Sequence, residues 1–160
     1  MQVLLILGRI LVYCKWYNAP MKRNAKKYRS NCPINFAQET FGDKWSLLII
    51  RDLMFMGKKY YGEFLSSDEK ISTNILADRL EKLEGDGLIT KATDKENNSK
   101  KIYALTQKGI DLLPMFLEMI AWSAKYDNNT GTPAEFIKRL EGDKNSLIRE
   151  LKESIAGSET

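Results

Sequence analysis

Apolar residues along this chain recur first at helical spacing, then at strand spacing, then at helical spacing again. Phe36, Ala37 and Phe41 predict a short first helix ending near Gly42, with Pro33 suited to its opening turn, where a missing N–H costs nothing. Asp43 is a fitting N-cap for the second helix, in which Trp45, Leu48, Ile49, Leu53 and Met56 build one buried stripe and Gly57 marks the stop. Tyr61, Phe64 and Leu65 predict a brief third helix, and residues 66–70 a polar turn. Ser72 then caps a fourth helix within residues 71–88, whose Leu76, Leu80 and Leu83 share one face, and Gly85 and Gly87 end it.

The period shortens over residues 88–93 and 102–105, which predicts two strands joined by the polar tip 94–101, a hairpin. Thr106 can cap a fifth helix, kinked at Pro114, whose apolar residues from Ile110 to Trp122 cover almost its whole circumference. A helix apolar all round must be buried all round, and one small domain has too little interior for that. A second copy of the chain is the expected cover. Thr132, Pro133 and Glu135 spell a capping box with proline at the first helical position, opening a sixth helix with one apolar stripe interrupted at Gly142.

Composition narrows the chemistry. The 160 residues suit one domain with terminal extensions, and Lys and Arg exceed Asp and Glu by 25 to 21, a mild basic excess that allows a polyanionic partner. There is no histidine, which removes the usual proton shuttle and the commonest nitrogen ligand of zinc. With no Gly-rich phosphate loop and no nucleophile motif either, an enzyme is the remotest reading, and no metal or cofactor is expected. Cys14 and Cys32 form no CxxC pair, so neither a disulfide framework nor a structural zinc site is indicated, and a reducing cytoplasm fits best. Residues 3–13 (VLLILGRILVY) are apolar but shorter than the roughly 20 residues a membrane helix needs. They read as an extra packed helix or as sequence upstream of a natural start at Met21, and no membrane partner is expected. Residues 21–31 are a basic arm with Lys22, Arg23, Lys26, Lys27 and Arg29 unopposed by acids.

Three helices, a turn, a fourth helix and a hairpin form the order of a winged helix-turn-helix, mainly α with a small β wing. A helix fits the major groove, about 12 Å wide, while a hairpin grips the flanking backbone. With Leu76 at the centre of the buried stripe, Asn74, Ala77, Asp78 and Glu81 point outward, and Thr73 and Lys82 lie towards the edges. Ser72, Thr73 and Asn74 form the opening turn, where asparagine pairs with adenine and free backbone N–H groups meet phosphate. Asp78 and Glu81 are repelled by phosphate and limit how deeply the later turns enter. Arg79 borders the stripe, placed equally well for phosphate or for an acid within the fold. Lys91, Lys95, Lys100 and Lys101, with Asn97 and Asn98, make the hairpin a basic grip on the backbone. The plainer alternative for these residues is a solvated loop.

Several ordered motifs together resemble the HxlR-type family of winged helix-turn-helix regulators. They are Cys32-Pro33-Ile34, the GDKWSLLI run from Gly42, Tyr61-Gly62-Glu63-Phe64, ISTNILADRLEKLEGDGLI from Ile71, Tyr103-Ala104-Leu105-Thr106, Lys108-Gly109, Leu112-Leu113-Pro114 and Trp122. The resemblance spans residues 32–123, leaving 1–31 as leader and arm and 124–160 as a C-terminal helical extension. It implies a sequence-specific double-stranded DNA-binding transcription regulator, a cytoplasmic homodimer paired through its N- and C-terminal helices on an operator of two half-sites. Some members use the cysteine matching Cys32 to sense oxidants or electrophiles, and a thiol at a helix N-terminus beside basic residues suits that role. A cysteine that only packs or caps is the commoner case. A winged helix serving as a protein-interaction module is the other alternative, with Asp78 and Glu81 facing a basic partner. Met115, Phe116 and Met119 read as core rather than as the wall of an effector pocket, and no effector is assigned.

Overall fold

The computed structural model describes residues 28–157, so the apolar run at 3–13, Cys14 and the basic arm up to Lys27 lie outside the described residues. The described residues divide into two compact units, 28–43 and 44–157.

In the first unit, α1 spans Pro33–Phe41. Pro33 opens it as the sequence predicts, Cys32 occupies the N-cap position with its carbonyl accepting from Phe36 N–H at 3.0 Å, and Gly42 closes it by donating to Gln38 O at 2.9 Å. Glu39 Oε1 gathers Arg29 Nε at 2.9 Å and Asn35 Nδ2 at 2.8 Å, which ties the end of the basic arm to the helix. Ile34 and Phe36 remain exposed.

The second unit opens with α2, Lys44–Phe55, and α3, Tyr61–Leu65. The predicted stripe on α2 is rotated: Trp45, Leu48 and Leu53 are only half-buried and Met56 is 60% exposed, whereas Ser46, Ile49, Ile50, Asp52 and Met54 face inward. The reason is that two polar residues, Ser46 and Asp52, sit on the buried face, and apolar periodicity does not register buried polar groups. After a turn that takes Lys70 to a φ of 55°, α4 runs over Thr73–Gly85 and buries Leu76, Leu80 and Leu83. Ser72 stands at its N-cap position but makes no side-chain capping bond. The helix ends in a Schellman motif: Gly87, with φ of 71°, donates to Glu84 O and Leu88 N–H donates to Leu83 O, both at 2.9 Å.

The wing is β1, Ile89–Thr93, antiparallel to β2, Lys101–Leu105, with Ala92 opposite Ile102 and Thr90 opposite Ala104. Thr106 then caps α5, Gln107–Ile110, accepting from Gly109 N–H at 3.2 Å as predicted. The fifth helix is not continuous. It breaks after α5 and restarts as α6, Leu113–Tyr126, with Pro114 in its first turn rather than at a mid-helix kink. Proline has no N–H to bond back one turn and its ring crowds the carbonyl four residues earlier. Leu112 O instead accepts from Met115 and Phe116, at 3.0 and 3.2 Å, and nucleates the new helix.

The predicted sixth helix also becomes two, α7 over Ala134–Gly142 and α8 over Lys144–Gly157. Pro133 is the N-cap residue and not the first helical one, and it makes no side-chain capping bond, so the predicted box from Thr132 does not form. At the break Asp143 adopts φ −141°, ψ 71°, and its Oδ1 accepts from Ser146 N–H at 3.1 Å, an N-cap for α8. Both helices pack on α6, and Lys152 of α8 pairs with Asp111 at 3.0 Å. Helix α6 buries Leu113, Phe116 and Leu117 but leaves Met119, Trp122 and Tyr126 exposed, the last two rings 5.2 Å apart. No helix among the described residues is long and apolar enough to cross a membrane.

Candidate nucleic-acid interface

The stripe of Leu76, Leu80 and Leu83 is sealed in the core, and this turns the opposite face of α4 to solvent. Asn74, Ala77, Asp78 and Glu81 are exposed on it, as the helical wheel predicts, and so are Thr73 and the N-cap Ser72. The opening turn is held in place from below, because Tyr61 of α3 donates its hydroxyl to Thr73 O at 2.7 Å. Asn74 has no hydrogen-bond partner among the described residues, so its amide is available to a base edge. Ile75, 37% exposed beside it, is an apolar side chain of the size that meets a thymine methyl, and the sequence reading did not include it among the outward residues.

The two cations of α4 are not idle. Arg79 pairs with the neighbouring Asp78, and Lys82 pairs with Asp86 at 3.1 Å. Of the two roles open to Arg79, the structure shows the acid partner, supplied by its own helix. Asp78 is exposed, and a pair of that kind is worth little, so phosphate can compete for Arg79; the Asp86 side chain is buried, so Lys82, itself partly exposed, is the more firmly held.

What sets α4 against the rest of the unit is a buried polar cluster that sequence reasoning missed. Asp52 on α2 is 2% exposed, and its Oδ1 accepts from Arg51 Nε and Nη2 at 2.9 and 2.6 Å. Its Oδ2 accepts from Lys58 Nζ at 2.9 Å and from Ser67 Oγ at 2.6 Å. Arg51 also grips Glu69, and that bond holds the Glu69 carboxyl down at about 2 while raising the guanidinium. The Asp52 carboxylate thus ties α2 to Ser67, and the Arg51 guanidinium ties it to Glu69, both in the turn that launches α4. The signal for it was an aspartate within a run of mainly apolar residues, LLIIRDLMF.

The wing carries its cations outward. Lys91, Lys95, Asn98, Lys100 and Lys101 are exposed, and among the described residues Lys91 and Lys95 have no acid partner. Lys101 Nζ donates to Thr93 Oγ1 at 2.7 Å, and Lys100 Nζ stands 5.4 Å from the Tyr60 ring centre. Asn97 is turned inward on the tip, accepting from Ser99 N–H and Oγ at 3.1 and 3.0 Å, so it shapes the turn in addition to facing solvent. Cys32, at the start of α1 in the other unit, is a free, half-buried thiol, and the Arg29 guanidinium near it in sequence is engaged by Glu39.

Residues 40–130 match the family model described as HxlR-like helix-turn-helix. The chain is 35% identical over 95 residues to YdeP of Bacillus subtilis strain 168, named as an HTH-type transcriptional regulator, spanning 59% of this chain and 73% of that protein. It is 36% identical over 96 residues to YodB of the same organism, an HTH-type transcriptional regulator, spanning 59% and 85%. Among solved structures it is similar to the redox regulator HypR in its oxidized form, with a TM-score of 0.54 and 30% identity over 60% of this chain and 98% of HypR.

Proposed function

The chain belongs to the HxlR-like helix-turn-helix family of transcription regulators, and from that membership we propose that it acts in the cytoplasm as a homodimer on a double-stranded operator. Each protomer places α4 in a major groove, the two half-sites lying roughly 10 base pairs apart or slightly more. The observation that carries this reading is the opening turn of α4, exposed at Ser72, Thr73 and Asn74 while anchored through the Tyr61 hydroxyl. Asn74 reads a base, Ser72, Thr73 and Ala77 line the groove, and Lys91, Lys95, Lys100 and Lys101 hold the flanking phosphates with Asn97 and Asn98. Arg79 and Lys82 exchange their intrahelical acids for phosphate. The exposed Met119, Trp122 and Tyr126 of α6 support the dimer, because an apolar stripe of this kind is covered in most soluble proteins.

The test is binding to genomic DNA fragments at about 50 mM salt, where counterion release favours the complex. Asn74→Ala is expected to weaken specific binding by about 1–3 kcal/mol while leaving affinity for random DNA unchanged. Absence of any complex at that salt refutes the reading, and equal losses on specific and random DNA remove Asn74 from the readers.

A second reading rests on Cys32, whose thiol is free and half-buried at a helix start, in a chain similar to a redox regulator. Here oxidation of Cys32 changes DNA affinity. An oxidant that shifts binding of the unaltered protein but not of Cys32→Ser supports it, and equal responses refute it.

A further inference from the structure

One residue ahead of α3 fastens the wing to the body of the second unit. Tyr60 bridges Ile102 on the edge of β2 opposite β1, and Lys59 O accepts from Tyr103 N–H at 2.8 Å. The backbone N–H groups of Lys59 and Tyr60 both donate to Glu63 Oε2, at 2.7 and 2.9 Å, so the same segment is fixed to the first turn of α3. The Tyr60 side chain then reaches the hairpin tip. Its hydroxyl donates to Asp94 Oδ2 at 2.8 Å, and its ring lies beneath Lys100 Nζ. Asp94 closes the tip by donating its N–H to Lys100 O at 3.1 Å and accepting from Glu96 N–H at 2.9 Å.

We propose that Tyr60 is the positioning residue of the wing: by holding Asp94 with its hydroxyl and seating Lys100 on its ring, it sets a tip lysine where the DNA backbone passes. The proposal rests on the regulator reading above. A two-stranded hairpin is marginal by itself, and a long cationic side chain loses rotamer freedom when it binds. An aromatic seat and an anchored tip meet both costs before DNA arrives. The hydroxyl also holds the Asp94 carboxyl below its usual range, as expected where a donor favours the charged acceptor. Without that anchoring role Asp94 would be only a negative charge repelling phosphate.

The grip is on the backbone, so the probe is a labelled duplex of arbitrary sequence, its affinity followed by fluorescence anisotropy from about 50 to 200 mM salt. Lys100→Gln is expected to weaken binding roughly three- to tenfold and to make the slope of log affinity against log salt shallower by about one, and Tyr60→Phe, which keeps the ring but frees Asp94, to do the same in smaller part. The double variant should bind no more weakly than Lys100→Gln alone, and Asp94→Ala should behave like Tyr60→Phe. A purely structural role would lower the unfolding midpoint and leave the slope unchanged. Tyr60→Phe with the original slope, losses that add in the double variant, or an Asp94→Ala that tightens binding would overturn the proposal. Asp94, partly exposed at the tip, supplies the decisive variant should Tyr60→Phe fail to fold. No binding by the unaltered protein at low salt would refute the regulator reading itself, a result distinct from all of these.

Discussion

Replacing Asp52 with Ala tests whether the buried carboxylate holds the reading helix in place. The side chain is 3% exposed and accepts four hydrogen bonds, two from Arg51, one from Lys58 and one from Ser67. Breaking a fully buried ion pair by removing one partner costs about 3–5 kcal/mol, because the other charge is stranded. Here the stranding is incomplete. Arg51 and Lys58 retain 27% and 21% side-chain exposure, Arg51 keeps Glu69, and Lys58 keeps Ser67 Oγ at 2.6 Å. The cost should therefore fall to about 2–3 kcal/mol, with Ser67→Ala at about 1–2 kcal/mol, since its hydroxyl both donates to Asp52 and accepts from Lys58. Urea denaturation at fixed protein concentration, followed by circular dichroism, measures both, the concentration being fixed because the stability of the proposed dimer would depend on it. Asp52→Ala should also weaken specific DNA binding under conditions where the variant remains folded, since the turn that launches α4 loses its tie to α2. A stability loss below about 1 kcal/mol would show that the cluster is solvated in practice and would refute the argument.

Protonation of Glu69 gives a pH dependence of known sign. Its folded-state value of about 2 lies below the ordinary 4.5, so its contribution is present above 4.5 and is lost as pH falls towards 2, and Glu69→Gln should flatten the stability profile in that window. For so open a pair the contribution should be on the order of 1 kcal/mol, checked by denaturation at several pH values. Gly109→Ala should destabilise the second unit by about 1–3 kcal/mol, because a Cβ there would stand 2.3 Å from Leu88 O, and a thermal midpoint unchanged from the parent would count against the rigidity assumed. If the proposed dimer pairs through α6, Trp122→Asp should shift it to monomer in sedimentation with the secondary structure kept, and a dimer that survives the change must use another face.

The order of elements was legible in the residues because each has a local cause. Pro33 opens α1, the leucine stripe of residues 76, 80 and 83 shapes α4, Gly87 at positive φ ends it, and Thr106 caps α5. The outward face of α4 follows from that stripe by geometry alone, which is why the exposed turn at Ser72 to Asn74 was visible in advance. Helix breaks were less legible. The signals at Pro114 and Asp143 were present, but local cues left open whether a helix bends through proline or stops, and whether a glycine interrupts a stripe or ends it.

Only the tertiary structure decided which polar groups are buried. Asp52 and Ser46 lie on the inward face of α2, and the place of Asp52 there depends on Lys58 and Ser67, with Arg51 reaching Glu69 beside it. The same holds for Tyr60, whose contacts with Asp94 and Lys100 span 34 and 40 positions of sequence and exist only once the hairpin has folded back along it. Apolar burial is non-directional and periodic, so one strand of sequence carries its record. Hydrogen bonds and ion pairs need two groups at set distance and angle, and the fold alone brings such groups together.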